Sequence, residues 1–230
     1  IFAIRRMIFR PNMQHRIYRT AKPFVKWVGG KTQLLGDIER TLPSDFSQKK
    51  NVIYVEPFVG GGAVLFWILQ QFPNIQKAVI NDINPHLITT YKVIKEQPYK
   101  LIEQLKELQE KYIPLGEEDR KEYYLNKRDI YNASSLSEIE TAALLNRTCF
   151  NGLYRVNSKG KFNVPHGKYA NPRICDEDTI LADSKILQKV DILCGDFEKT
   201  IAYASPDALF YFDPPYKPLS KTSSFNSYAK

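Results

Sequence analysis

The sequence has few of the residues that build metal sites and disulfide frameworks. Its 230 residues include three widely spaced cysteines, Cys149, Cys175 and Cys194, and only three histidines. An odd number of cysteines with no Cys-x-x-Cys pair argues against a disulfide framework and against zinc. Scattered histidines argue against other metal clusters. We therefore expect a metal-free protein in a reducing, cytoplasmic compartment.

Long apolar runs are also missing. No stretch of about 18 apolar residues occurs, so the sequence predicts no transmembrane helix. Residues 1–19 mix arginines with aliphatic and aromatic residues, and they lack the continuous apolar segment of a signal peptide. We interpret them as a basic arm. The composition as a whole is 43% hydrophobic, which is enough to bury a core.

Acidic residues are absent from three segments that carry much of the basic charge. Residues 1–31 contain eight Lys and Arg, residues 146–173 contain six and residues 217–230 contain three, whereas the rest of the chain holds 16 basic and 25 acidic residues. If the fold brings these segments to one face, that face attracts a polyanion such as nucleic acid. The alternative is that the basic residues serve only solubility.

The first part of the chain predicts a strand–helix–strand unit. Residues 51–55 form a short apolar run typical of a buried strand, and an apolar helix is predicted over residues 63–69. The turn between them is Gly60-Gly61-Gly62, and a second strand at residues 78–80 ends near Asp82. This order is typical of one βαβ unit of a parallel sheet.

A mainly helical region then interrupts the α/β pattern. Hydrophobic spacing predicts a helix around residues 101–108, and the polar residues 117–132 are also expected to be helical. Residues 135–138 (Ser-Leu-Ser-Glu) resemble a capping box that opens a helix through Leu145. Residues 146–172 are rich in Asn, Gly, Lys and aromatics and are interpreted as a loop with a hairpin.

Strands resume after this block, over residues 190–194 and 208–212. The prediction is therefore an α/β fold, a doubly wound parallel sheet interrupted by an inserted domain. We place the sheet domain at residues 20–86 and 176–230 and the insert at residues 87–175.

Acidic residues follow each predicted strand: Glu56, Asp82, Asp196 and Asp213. Ligands of open α/β sheets bind at the carboxyl ends of the strands. Asp82 lies 22 residues after Gly60, near the spacing at which an acid bonds ribose hydroxyls. The Gly-Gly-Gly run departs from the G-x-G-x-x-G pattern of dinucleotide sites, and a plain tight turn is the alternative interpretation.

A second loop lies upstream, at Lys26-Trp27-Val28-Gly29-Gly30-Lys31. Here Lys31 opens a predicted helix and offers a cation to a carboxylate-bearing ligand. The alternatives are that Trp27 belongs to the core and that Lys31 is a solvated helix residue.

The segment Asp213-Pro214-Pro215-Tyr216 directly follows an apolar strand. Two prolines remove two N–H donors, so the turn offers carbonyl acceptors. Methylation of an exocyclic amine needs acceptors for both amine hydrogens, because the nitrogen lone pair is otherwise delocalised into the ring. Asp213 and the Pro214 carbonyl can be those acceptors, and Tyr216 can stack on a base. The alternative is an ordinary Pro-Pro turn.

These segments resemble the Dam-type family of DNA adenine-N6 methyltransferases. The resemblance runs from about Lys22 to the C-terminus and is carried, in the family's order, by residues 26–31, 55–62, 81–84 and 213–220. It implies a Rossmann-like sheet that binds S-adenosylmethionine and an insert that recognises duplex DNA.

The resemblance also implies residue roles at the cofactor and the transferred methyl group. The catalytic residues would be Asp213, Pro214, Pro215 and Tyr216. Those at S-adenosylmethionine would be Trp27, Lys31, Glu56, Pro57, Phe58, Gly60, Gly62, Asp82, Asp196, Phe197 and Asp213.

For DNA, the resemblance implies that residues 146–157 belong to a recognition hairpin and that the target is GATC. Arg155 would read a guanine in the major groove, where arginine–guanine contacts are favoured. Apolar base contacts would come from Leu153 and Pro165, a wedge at the flipped base from Phe150 and Asn151, and contacts to the first base from Lys26 and Tyr169. The full predicted set is Lys26, Arg147, Phe150, Asn151, Leu153, Arg155, Asn157, Pro165 and Tyr169.

One departure from the family pattern concerns the C-terminus. Several strands follow the Asp-Pro-Pro-Tyr segment in the family, whereas 14 residues follow Tyr216 here. We therefore expect a truncated sheet and weak activity or none. The alternatives are a cytosine-N4 methyltransferase, a truncated DNA-binding remnant without catalysis, and a nicotinamide dehydrogenase. A cognate restriction endonuclease and a solitary role both fit the sequence.

Overall fold

The computed structural model describes residues 20–27, 30–133 and 139–215. Its sheet has four parallel strands, in the spatial order β3-β2-β1-β4. The strands are β1 (Val52–Glu56), β2 (Ile75–Asp82), β3 (Val190–Cys194) and β4 (Ala208–Phe210). The predicted parallel α/β sheet is confirmed. The chain passes from β1 to β2 and then β3 on one side of β1, and β4 lies on the other side of β1. The topological switch point of the sheet therefore lies between β1 and β4.

Seven α-helices surround or extend from this sheet in the described ranges. They are α1 (Leu35–Thr41), α2 (Ala63–Gln71), α3 (Pro85–Glu96), α4 (Pro98–Tyr112), α5 (Glu117–Ala133), α6 (Ile139–Thr148) and α7 (Glu177–Leu187). Four short 3₁₀ turns occur at Thr32–Leu34, Phe46–Gln48, Phe150–Gly152 and Phe197–Tyr203.

The hydrophobic core explains why β1 and α2 form. Tyr54 and Val55 of β1 are completely buried, because a parallel strand covered on both faces must be apolar throughout. In α2, Leu65 and Ile68 are buried too. This helix begins after Gly62, whose φ of 77° is left-handed, a conformation that glycine adopts without a steric penalty.

The helices between β2 and β3 extend the same core and build a smaller one. Leu105 of α4 is buried in the main cluster together with Ile180 of α7. Tyr124 of α5 forms a second cluster with Phe162 and Val164. The boundaries of an inserted domain at residues 87–175 stay a prediction.

Some predicted element bounds were wrong. The helix predicted to end at Leu145 continues to Thr148 as α6, and the last strand has three residues instead of the predicted five. The expected hairpin is present, since antiparallel bridges join Cys149 to His166 and Val156 to Phe162. We call residues 149–166 the hairpin. The predicted capping box, the basic arm and Tyr216 lie outside the described residues.

Within the described ranges, no helix is long and apolar enough to cross a membrane. The same part of the chain contains no group of three or more His, Cys, Asp or Glu side chains that could hold a metal ion.

Two of the buried carboxyl groups in the described ranges, Glu56 and Asp183, have strongly raised pKa values. Burial raises the pKa of Glu56 to about 8, because the hydrogen bond from Tyr54 only partly offsets the desolvation and the nearby Asp213 and Asp82 add to the rise. Burial likewise raises the pKa of Asp183 to about 8. Its Oδ1 accepts a hydrogen bond from the backbone N–H of Lys22 at 3.0 Å.

Glu56 and Asp183 make a contribution to stability that declines as the pH rises. The unfolded chain releases the protons near the ordinary carboxyl pKa, whereas the folded chain keeps them up to about pH 8. Their contribution to stability is therefore complete below about pH 4 and is lost as the pH rises to about 8. We expect Glu56→Gln and Asp183→Asn each to reduce the decline in the free energy of unfolding with rising pH, measured by urea unfolding at pH 5, 6.5 and 8.5.

The control for this pH series is Glu103→Gln, at an exposed position of α4. It should keep the wild-type dependence. Glu56→Gln and Asp183→Asn variants whose unfolding free energies depend on pH as strongly as that of wild type would contradict the assignment.

The turn before α2 predicts a second stability effect. A Cβ at residue 62 would lie 2.5 Å from the Tyr91 hydroxyl oxygen, whereas one at Gly160, whose φ is 72°, would meet nothing within 4 Å. We expect Gly160→Ala to lower the unfolding free energy by about 1–2 kcal/mol through left-handed strain alone. Gly62→Ala should lower it by clearly more, because the clash is added. Equal losses in chemical denaturation would show that Tyr91 moves aside freely.

Candidate functional site

The four predicted acids lie at one edge of the sheet. Glu56 is the last residue of β1 and Asp82 is the last residue of β2. Asp196 follows β3 by two residues and Asp213 follows β4 by three. Because all four strands are parallel, these ends share the carboxyl edge, as the sequence predicted.

A glycine turn and Asp82 form one hydrogen-bonded unit at this edge. The Gly60 N–H donates to Asp82 Oδ2 at 3.1 Å, and the Asn84 N–H donates to Asp82 Oδ1 at 2.9 Å. The Tyr91 hydroxyl donates to the Gly60 carbonyl at 2.9 Å. Burial raises the pKa of Asp82, while the backbone donors oppose that rise. The carboxylate is thus held in one orientation with acceptor capacity left over.

Buried Asn81 connects the ends of β1, β2 and β3. Its side-chain Nδ2 donates to the Pro57 carbonyl at 3.1 Å and to the Gly195 carbonyl at 2.9 Å. This bridge places the loop after β1 beside the loop after β3, and it brings Phe58 and Phe197 together.

Aromatic rings line the space next to Asp82. The ring centroids of Phe58 and Phe197 are 5.5 Å apart. Phe197 is 41% exposed, and Ile83, adjacent to Asp82, is 55% exposed. Exposed apolar side chains at the same sheet edge as a fixed carboxylate suit a ligand with a flat ring and neighbouring hydroxyl groups.

Asp213 lies at the switch point between β1 and β4. The Tyr211 N–H donates to the Val55 carbonyl at 2.9 Å, so pairing with β1 continues past β4. Lys31 Nζ approaches Asp213 Oδ2 to 2.8 Å, and the two side chains are only 15% and 19% exposed. Lys31 is therefore not a solvated helix residue. Pro214 and Pro215, which follow, are exposed.

Trp27 packs against the glycine turn. A Cβ built on Gly60 would lie 3.2 Å from Trp27 Cδ1, and one on Gly61 would lie 3.0 Å from Trp27 Cβ. The indole ring also stacks on Tyr154 of the hairpin at 5.2 Å between centroids, with 25° between the planes. Trp27 is thus part of the core packing, as one interpretation held, and it also adjoins the predicted ligand site.

Lys26 connects the same loop to the hairpin region. Its Nζ lies 4.7 Å from the centroid of the Tyr169 ring. Its backbone N–H donates to Asn146 Oδ1 at 2.8 Å, and its carbonyl accepts from Asn146 Nδ2 at 2.9 Å. The same Nδ2 also reaches the carbonyl of Gly152 at 3.2 Å. Lys26 and Tyr169, both predicted to contact DNA, are therefore neighbours.

Most of the other predicted DNA-contacting residues lie on the hairpin surface. Arg155 is exposed, and its Nε donates to Asn163 Oδ1 at 2.8 Å. Phe150 is half exposed, and Asn151 is exposed with a left-handed φ of 54°. Pro165 is also exposed, whereas Leu153 is half-buried.

Two residues that were predicted to contact DNA make contacts within the protein. Arg147 donates to the Phe24 carbonyl, and its guanidinium lies 5.4 Å from the centroid of the Phe24 ring. Asn157 Oδ1 accepts from the N–H groups of Lys159 and Lys161 at the hairpin tip. These contacts favour structural roles, and DNA contact by either residue stays a prediction.

Sequence reasoning missed three polar residues that hold the site together: Asn84, Asn146 and Tyr154. Asn84 could have been found, because Asn before Pro85 is a typical N-cap signal, and its Oδ1 does accept from two N–H groups of α3. Asn146 and Tyr154 act on residues more than 100 positions away, and their local sequence carries no signal of that.

Comparisons with known proteins agree with this geometry. The family model described as D12 class N6 adenine-specific DNA methyltransferase matches residues 27–230. The type II methyltransferase M.MjaIII of Methanocaldococcus jannaschii is 51% identical over 214 residues, which cover 91% of this chain and 74% of that protein. The DNA adenine methylase of Vibrio cholerae serotype O1 is 38% identical over 210 residues, covering 90% and 70%.

The DNA adenine methylase of Escherichia coli K12 is 34% identical over 210 residues, covering 90% of this chain and 69% of that protein. The resemblance found in the four sequence segments is thereby confirmed. The chain belongs to the D12 class of N6 adenine-specific DNA methyltransferases.

Proposed function

We propose that this adenine-N6 DNA methyltransferase binds S-adenosylmethionine at the carboxyl edge of the sheet and methylates a flipped adenine within GATC. The observation that carries the proposal is the position of Asp213. It lies at the switch point of the sheet, next to buried Glu56, within 2.8 Å of Lys31 and directly before two exposed prolines. Ligands of open parallel sheets bind at this point.

The residues at this edge fit S-adenosylmethionine. Asp82 accepts backbone N–H groups of Gly60 and Asn84, and a carboxylate has about four acceptor sites, so a ribose hydroxyl can still be bound. The Phe58–Phe197 pair offers an apolar surface for an adenine ring. When bound, the cofactor supplies a methyl group on a positively charged sulfonium, which suits an edge carrying several carboxyl groups.

The chain's own contribution to the reaction is to accept hydrogen bonds from the target amine. Asp213 and the Pro214 carbonyl would each accept one amine hydrogen, which frees the nitrogen lone pair for in-line attack on the methyl group. Lys31 holds the Asp213 carboxylate in place, so the acceptor is preorganised. A base inside a duplex cannot reach this turn, so the adenine must be flipped out. Stacking by Tyr216 stays a prediction.

The hairpin supports recognition of GATC. Exposed Arg155 is oriented by Asn163 through its Nε and one Nη, which leaves other guanidinium donors for a guanine edge. The neighbouring pair Lys26 and Tyr169 would contact the first base. Half-exposed Phe150, with Asn151, would fill the space left by the flipped adenine.

Family membership favours adenine over the cytosine-N4 alternative and leaves a nicotinamide dehydrogenase without support. Two relatives carry type II methyltransferase names, and three similar chains are named DNA adenine methylase. Both a cognate restriction endonuclease and a solitary role therefore remain compatible with this chain. A cytoplasmic location stays a prediction.

The first test measures transfer of labelled methyl from S-adenosylmethionine to two duplexes, one with GATC and one with that site scrambled. We expect N6-methyladenine in the GATC duplex alone, identified by mass spectrometry of the nucleosides. Label on cytosine would favour the N4 alternative. Cofactor and duplex binding without any transfer would favour a non-catalytic DNA-binding protein.

Asp213→Asn should lower kcat for this transfer by about 10²–10⁴-fold, because the amide cannot replace an anionic acceptor of the amine hydrogens. The matched control is Asp207→Asn, an exposed acid just before β4, which should keep the wild-type rate. S-adenosylhomocysteine binding, measured by calorimetry, should remain in the Asp213 variant. Wild-type turnover by Asp213→Asn would remove Asp213 from the mechanism.

Arg155→Ala should relax recognition of the guanine that this residue reads. We expect the ratio of kcat/KM for GATC to that for a duplex with the guanine replaced to fall by a factor of about 5–150, equivalent to about 1–3 kcal/mol. Lys159→Ala, at the exposed hairpin tip, is the control and should weaken binding to both duplexes about equally. An unchanged ratio in Arg155→Ala would refute guanine reading by Arg155.

A further inference from the structure

Tyr154 occupies an unusual place in the hairpin. It stands between Leu153 and Arg155, two residues proposed to contact bases, yet its own ring turns inward. The ring stacks on Trp27 at 5.2 Å and lies 5.8 Å from the Phe162 ring. It is therefore packed between the hairpin core and the loop that carries Lys26 and Lys31.

The ring of Tyr154 is connected to the glycine turn through Trp27. Trp27, on which it stacks, would be 3.0–3.2 Å from a Cβ built on Gly61 or Gly60. Interiors packed at this density transmit displacement, because there is no free volume to absorb it. A shift of the Tyr154 ring thus changes the position of Trp27 against the proposed cofactor loop.

The hydroxyl group of Tyr154 leads to the same site by a second route. It is hydrogen-bonded to the side chains of Asn84 and Tyr131. Asn84 is 5% exposed, and its backbone N–H holds Asp82 Oδ1 at 2.9 Å. Tyr131 in turn lies 3.0 Å from His86 Nδ1 of α3. The route runs from the hairpin through Asn84 to the carboxylate proposed to bind the ribose.

We propose that Tyr154 is a positioning residue that couples recognition of the DNA sequence to binding of the cofactor. This inference rests on the proposed function. DNA bound to Leu153 and Arg155 fixes the hairpin, and Tyr154 then holds Trp27 and Asn84 in the arrangement that receives the cofactor. Such coupling acts equally in both directions, so the cofactor also tightens binding to the specific duplex.

The test measures the Kd of S-adenosylhomocysteine by calorimetry, without DNA and with a saturating GATC duplex. For the wild-type chain we expect the duplex to tighten binding by about tenfold, within the usual range of coupling between sites. Tyr154→Phe keeps the stacked ring and loses the hydroxyl, so the ratio of the Kd without DNA to the Kd with DNA should fall to about three. Tyr154→Leu loses both the stacking on Trp27 and the hydroxyl hydrogen bonds, so this ratio should fall to about one.

The matched control is Tyr124→Phe. Tyr124 belongs to the same small cluster as Phe162 and donates its hydroxyl hydrogen to the Val164 carbonyl at 2.8 Å. The Tyr124→Phe variant loses a buried hydrogen bond just as Tyr154→Phe does. We expect it to keep the tenfold coupling between duplex and cofactor binding. A purely structural role for Tyr154 predicts that the two phenylalanine variants behave alike, and this result would overturn the proposal.

The remaining outcomes separate this inference from the proposed function. Absence of S-adenosylhomocysteine binding by the folded wild-type chain would refute the proposed function itself. Binding of both ligands by wild type with no change in Kd, or full coupling in Tyr154→Phe and Tyr154→Leu, would refute the inference alone. Circular dichroism establishes folding of each variant, and Tyr154→Phe, with its small change in volume, decides the matter if Tyr154→Leu unfolds.

Discussion

The side-chain amide of Asn146 accepts a hydrogen bond from the Lys26 N–H and donates one to the Lys26 carbonyl, and these two bonds fix the backbone from which Trp27 reaches the glycine turn. The loop that begins at Lys26 sends Trp27 to the glycine turn and Lys31 to Asp213. The same amide also bonds the carbonyl of Gly152 in the hairpin. Because one buried group satisfies three backbone atoms, the loop that begins at Lys26 and the hairpin cannot move independently at this point.

The carboxyl edge concentrates acidic groups at a cost in stability. Glu56 has a pKa of about 8 because it is buried, with Asp213 and Asp82 close by. Local conflicts of this kind are expected where a site must bind charge, since a site optimised for stability would replace them. Under the proposed function, the same edge accepts a cationic sulfonium and an amine donor. This requirement gives a physical reason for keeping the acids.

The sequence predicted the elements whose signals are local. The short apolar run at residues 51–55 precedes a glycine turn, so β1 and its turn were predictable, and Asp213 was placed correctly after the last strand. The end of α6 was missed, because Asn146 and Thr148 are weak helix formers, and Asn146 is held in place by its contact with Lys26. Arg147 looked like a DNA contact, and its bond to the Phe24 carbonyl was invisible in the pattern.

The sequence by itself determined the family, the parallel α/β class and the order of the functional segments, because strand hydrophobicity, glycine turns and the Asp-Pro-Pro-Tyr segment are encoded within a few neighbouring residues. Only the tertiary structure decided that Lys31 meets Asp213, that Trp27 stacks on Tyr154 and that Asn146 joins loop to hairpin. These contacts join residues from about 120 to more than 180 positions apart. Their partners are selected by how the sheet and helices pack, and local sequence carries no information about that packing.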